Sequence, residues 1–140
     1  MAILHSDRVD DPNNFGWIYN PFSGFEISNN LHVPVEPREN VPPSINAMVS
    51  RSEWEKNLIH HDYGDRIRIV PMGSIAYKLG LLAAGACDVV ISKRPKNVWD
   101  IAGGVLICHA RGILSFSEGE PITRLNKKLY KDTFIFGKTR

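Results

Sequence analysis

From residue 45 onward, apolar positions fall into short runs separated by stretches of helical period. Ile45 to Val49 reads as a buried strand, and Arg66 to Val70 alternates as a half-exposed strand does, with Ile67 and Ile69 on one face. Between them, Ser52 ahead of Glu53 and Glu55 predicts an N-cap and a helix from Glu53 to Ile59, broken at Tyr63-Gly64-Asp65. Ser74 predicts the cap of a second helix to about Ala84, with Ile75, Leu79 and Leu82 on one side and Gly85 at its end. Asp88 to Ile91 is a third apolar run. A polar loop, Ser92 to Asn97, leads to Trp99-Asp100 and a helix from Ile101 to Ala110, ended by Gly112. Ile113 to Phe116 is a last strand before a turn at Gly119 and Pro121. Strands alternating with helices in this way predict an α/β fold, a layered, mostly parallel sheet with flanking helices.

The first 44 residues have another texture. Asp10-Asp11-Pro12-Asn13-Asn14, Asn20-Pro21-Phe22-Ser23-Gly24 and Pro34 to Pro43 are turn signals, with short strands expected at Phe15 to Tyr19 and Phe25 to Ile27. The organisation expected is therefore an irregular, short-strand segment over 1–44 and an α/β unit over 45–140. At 140 residues the chain suits one domain, and 43% hydrophobic with 23% charged residues is the make-up of a globule that can build a core. No apolar run approaches the length of a spanning helix, so no membrane role is expected. The net charge of +2, with scattered Lys and Arg, gives no footprint for nucleic acid. Met1 to His5 lacks the pattern of a signal peptide, and Cys87 and Cys108 have no metal or CxxC spacing; both point to a cytoplasmic protein with reduced core cysteines.

In open α/β sheets ligands bind beyond the carboxyl ends of the strands, where the next helices begin. Three loops lie there: Ser50-Arg51-Ser52, Met72-Gly73-Ser74 and Val98-Trp99-Asp100. Gly73 lets a ligand approach the backbone and the helix start offers free amides, yet a Gly-Ser before a helix also serves simply as an N-cap. Asp100 is open in the same way. It can cap its own helix, or face the cleft as a hard oxygen ligand for Mg²⁺.

Gly73-Ser74-Ile75-Ala76, Leu81 to Asp88, and Trp99-Asp100-Ile101-Ala102-Gly103-Gly104 together resemble the C-terminal half of the inositol monophosphatase family. Val49-Ser50-Arg51-Ser52 resembles a stretch upstream of these, and Ala110-Arg111-Gly112 follows the Trp-Asp-x-Ala-x-Gly pattern at a fitting distance. The resemblance covers about residues 45–116. It implies that family's C-terminal domain and a Mg²⁺-dependent phosphomonoesterase acting on a small phosphorylated polyol or nucleotide. It also implies Asp100 as metal ligand and substrate contact, with Gly73, Ser74 and Ile75 as the substrate-binding backbone. No residue is assigned as catalytic.

Three departures accompany the match. The family's other metal ligands include a Glu and an Asp-Pro-Ile/Leu-Asp-Gly-Thr motif; here the nearest stretch, Asp11-Pro12-Asn13-Asn14, has Asn in place of the second Asp and reads as a turn. His109-Ala110-Arg111-Gly112 carries His where the family usually has Glu, a change similar to the 3′(2′),5′-bisphosphate nucleotidase branch, or else simply a packed helical histidine. The loop before Trp99 holds Lys93, Arg94 and Lys96 and no acid, which suits a second phosphate or is only a solvated basic loop. One carboxylate rarely fixes Mg²⁺. Two readings follow: a truncated form that keeps the substrate-side half of a phosphatase, weak or inactive unless the absent acids are supplied, or a non-catalytic binding or assembly module. Both predict an oligomer or a complex with a complementary N-terminal half, because such a half leaves sheet edges and an apolar face uncovered.

Overall fold

A computed structural model describes residues 1–30, 44–59, 64–131 and 134–138. Pro34 to Pro43 and Tyr63 lie outside the described residues. The chain begins with β1 (Ala2–Ile3), β2 (Phe15–Asn20) and β3 (Phe25–Ser28), an antiparallel sheet in the order β1-β2-β3. Then come β4 (Ile45–Ser50), α1 (Arg51–Glu55), β5 (Ile67–Met72), α2 (Ile75–Ala83), β6 (Val89–Ser92), β7 (Lys96–Asn97) and α3 (Val98–Ala110). The chain closes with β8 (Ile113–Ser117), β9 (Glu120–Pro121), β10 (Leu129–Tyr130) and β11 (Phe134–Lys138).

The main sheet has six strands in the order β5-β4-β6-β11-β8-β9. β4 pairs in parallel with β5 and β6, while β11 runs antiparallel to both β6 and β8. It follows that β5, β4, β6 and β8 share one direction, as the alternation of strands and helices predicts. The connection through α3 carries the chain from β6 past one strand position to β8, and β11 fills the gap. Its Phe134 and Phe136 are fully buried, with rings stacked 5.8 Å apart. The last strand expected from the sequence is Ile113 to Phe116, so that reading misses Phe134–Lys138, whose slot in the sheet is a long-range fact that periodicity does not carry.

Helices α2 and α3 lie between the two sheets. Leu79, Leu82, Ile101, Val105 and Ile107 bury against Val90, Phe134 and Phe136 of the main sheet, and Ile18 and Ile27 of the small sheet enter the same core. Close approach depends on glycine. A Cβ on Gly104 would stand 2.5 Å from Leu79 Cδ1, and one on Gly16 would stand 2.6 Å from the Gly103 carbonyl oxygen. Cys87 and Cys108 are buried and neither is in a disulfide; burial pushes the Cys108 thiol up to about 12. Among the described residues no helix is long and apolar enough to cross a membrane.

Helix ends differ from expectation in two places. The N-cap of α1 is Ser50 rather than Ser52, its Oγ accepting from Glu53 N, and the helix stops at Glu55, short of Ile59. Asn57 then takes φ +55, which ends the turn. α3 begins at Val98 with Asn97 as its N-cap, so Asp100 stands in the first turn and is not the cap. That removes the capping explanation for Asp100. By contrast, Ser74 caps α2 as predicted, its Oγ accepting from Tyr77 N at 3.2 Å.

Candidate functional site

β4, β5 and β6 run in parallel and in register, Ser50 beside Met72 and Val49 beside Ile91. Their carboxyl ends therefore open on one edge, where α1 and α2 start and the loop to α3 begins. Gly73 and Ser74 are exposed there, and Ile75 turns its side chain inward against the core. Open space surrounds Gly73 where a Cβ would sit. Ser74 holds φ +59, a left-handed conformation that costs a non-glycine residue something and that such sites often store.

Two buried charged residues, neither singled out from the sequence as a site residue, set these loops. Glu53 is wholly buried. Its carboxylate accepts from the Ser92 hydroxyl at 3.2 and 3.3 Å, from Lys93 N at 2.8 Å and from Arg94 N at 2.6 Å. The basic loop after β6 is thus tied to α1, and its end at Lys96–Asn97 pairs with Leu129–Tyr130. Lys78, buried on α2, donates from Nζ to the Met72 carbonyl at 3.0 Å and so pins the turn that carries Gly73 and Ser74. Burial, and then the neighbouring Lys96, lower its amine to about 8, with Arg51 adding to the effect and Glu53 opposing it. The sequence offered one signal for Glu53, an acid in a first helical turn, and none for its burial. Nothing in the spacing around Lys78 marks it.

Asp100 and Trp99 are exposed at the start of α3. The edge therefore gathers every residue that the resemblance nominates, together with Lys93, Arg94 and Lys96. His109 does not join them. It lies nine residues further along α3, roughly 13 Å away at the rise of a helix. Asp11 is occupied elsewhere too: its Oδ1 accepts from Asn13 N at 2.9 Å and its Oδ2 contacts His5 Nδ1 at 3.1 Å. Hydrogen bonding from Ser6, then from Asn13 and His5, holds its carboxyl down to about 2. The Asp-Pro-Asn-Asn stretch is the expected turn. Among the described residues no three His, Cys, Asp or Glu come together as a metal site. The described residues do not fit a Mg²⁺ ion by themselves: among them Asp100 is a single exposed carboxylate at this edge.

Two helices between a small antiparallel sheet and a six-stranded mixed sheet, with loops gathered at the carboxyl ends of parallel strands, make an α/β arrangement of the kind that takes ligands at that edge. The inositol monophosphatase family model matches residues 13–133, well beyond the 45–116 visible in the motifs, and the chain belongs to that family. Solved structures agree in fold. A Pyrococcus horikoshii protein, PH1897, described as having similarities to inositol-1 monophosphatase, superposes with a TM-score of 0.61 at 21% identity over 90% of this chain and 52% of its own. Bacteroides thetaiotaomicron CysQ, a bacterial member of the family, gives 0.54 at 21% identity over 74% and 41%. Inositol monophosphatase II of Staphylococcus aureus gives 0.60 at 14% identity over 89% and 50%. The chain spans about half the length of these structures. No curated protein sequence matches it.

Proposed function

We propose that this chain is the substrate-side half of a Mg²⁺-dependent phosphomonoesterase acting on a small phosphorylated polyol or nucleotide. The observation that carries the reading is the convergence of Gly73, Ser74, Asp100 and an immobilised basic loop on one sheet edge. In this reading the backbone from Gly73 to Ile75 receives the ring or sugar. Asp100 receives its hydroxyls and gives one carboxylate to the metal that the family generally uses. Lys93, Arg94 and Lys96 favour an anionic substrate, and Glu53 holds the backbone of the first two at this edge. The remaining acids are supplied by another polypeptide segment, either a second copy or a complementary half.

The lack of a three-acid cluster among the described residues favours a second reading, a binding or assembly module that keeps the cleft without its chemistry. Phosphate release separates the two. The chain is assayed on inositol monophosphate and on adenosine 3′,5′-bisphosphate, with and without Mg²⁺, beside Asp100→Asn. Metal-dependent release that the variant loses supports the phosphatase. Release by the variant equal to that of wild type removes Asp100 from the site, and no release from a folded sample on either substrate favours the module. Because Asp100 caps nothing, Asp100→Asn should cost less than about 1 kcal/mol of stability through the helix dipole alone.

A further inference from the structure

At the far end of α3 from Asp100 lies a cavity of about 300 Å³ that the cleft does not use. Its floor is apolar, built from Val9, Val105, Ile113 and Ile122. The segment at Arg8 meets the segment after β9 in an isolated bridge between Arg8 and Arg124, reinforced by Val9 N donating to the Thr123 carbonyl at 3.0 Å. That bridge brings two guanidinium groups to one rim. Their states differ. Arg8 is neutralised by a two-pronged pair with Asp10, Nε at 3.0 Å and Nη2 at 2.9 Å. Arg124 makes one bond, from Nη1 to Asp7 at 2.8 Å, so a planar group with five donors keeps others for a second carboxylate. A further sign comes from the wall: Ser115, which lines the cavity, carries a buried hydroxyl with no hydrogen-bond partner among the described residues. Buried polar groups are almost always satisfied, and this one stands in the wall of the cavity.

We propose that this cavity binds a small monocarboxylate with a short apolar body, its carboxylate on Arg124 and its body against Val105, Ile113 and Ile122. The size is at the lower end for ligand pockets, and a floor of aliphatic side chains with a few polar groups at the mouth is the usual composition of one. Asp10 at the rim, and Asp7 paired with Arg124, disfavour a dianion, which distinguishes this ligand from the phosphate esters proposed for the cleft. His109 stands on the same rim, so the histidine that departs from the family pattern belongs here and not to the cleft. The inference is independent of the phosphatase reading.

The test is an amide NMR titration of the full chain with 4-methylpentanoate, beside 4-methylpentan-1-ol and leucine. Saturable shifts confined to Val105, His109, Ile113 and Ile122 are expected with the acid, with far weaker ones from the alcohol. Arg124→Met should weaken binding about tenfold, the loss of one charge-assisted contact. Ile122→Trp should abolish it by filling the cavity; should that variant fold poorly, Arg124→Met, at an exposed site, still decides. Leucine binding more tightly than the simple acid supports the same chemistry and names an amino acid as its source. The proposal is overturned if a folded sample shows no saturable shift at millimolar acid, if the alcohol binds equally well, or if Arg124→Met binds as wild type does.

Discussion

Lys78 shows how much of the cleft is decided by single side chains below its surface. The amine is buried against the Met72 carbonyl and titrates at about 8 in place of the usual 10.5. Below pH 8 it is protonated whether the chain is folded or not, and the cost of burying its charge is fully present. Between about 8 and 10.5 the unfolded chain still holds the proton that the folded chain has released, so stability from this group rises with pH across that window. The gain is roughly 2 kcal/mol once solvent screening is allowed for. Urea midpoints taken at intervals from pH 7 to pH 10.5 should therefore climb more in wild type than in Lys78→Met; equal slopes would place the titration elsewhere. Glu53 is the other buried case. Its carboxylate accepts from three neutral donors, the Ser92 hydroxyl and the amides of Lys93 and Arg94, and the sequence marked it only as a helix-start acid.

Among the elements, α3 carries two kinds of information in one motif. The Trp-Asp of Trp-Asp-x-Ala-x-Gly faces solvent at the cleft, whereas its closing Gly104 serves packing. A Cβ there would meet Leu79 Cβ at 2.6 Å, a backbone-proximal atom that no rotamer change can move. Gly104→Ala should therefore lower stability by about 1–3 kcal/mol through overpacking of α2 on α3. Leu79→Gly, which removes the Cβ together with the atoms beyond it, should recover part of that loss in the same chain, a non-additivity visible in denaturant midpoints. Additive losses would show that the two helices separate instead of clashing. The same scale explains where the reading from sequence was sound. Ser74, Gly85 and Gly112 mark the ends of α2 and α3 because capping and positive-φ glycines are local devices, set by a few neighbouring residues. α1 departed at both ends: Ser50 and not Ser52 caps it, Asn57 at φ +55 ends it, and its Glu53 reaches Ser92 across the sheet edge.

For the molecule as a whole, the small sheet is the telling part. Ala2, Gly16, Ile18 and Ile27 face the helices, so the pleat turns Ile3, Phe15, Trp17 and Tyr19 outward. Ile3 is 59% and Tyr19 49% exposed, and the Trp17 and Tyr19 rings stack 5.7 Å apart on that open face. An apolar surface of this kind is a contact surface in most proteins. Under the proposed function, sedimentation at micromolar concentration should show self-association, and Tyr19→Lys should reduce it; a clean monomer would count against the partner.

What the sequence determined by itself was whatever nearby residues decide: the alternation of strand and helix, the helix ends at Ser74, Gly85 and Gly112, the turn at Asp11, and a motif pair specific enough to reach the family. Only the tertiary structure decided that β11 enters between β6 and β8, that Glu53 and Lys78 are buried beneath the cleft, and that His109 lines another cavity. Each of these depends on residues tens of positions apart meeting in space. A charge pattern read along the chain is the same whether its side chain ends in water or in the core, and only packing tells the two apart.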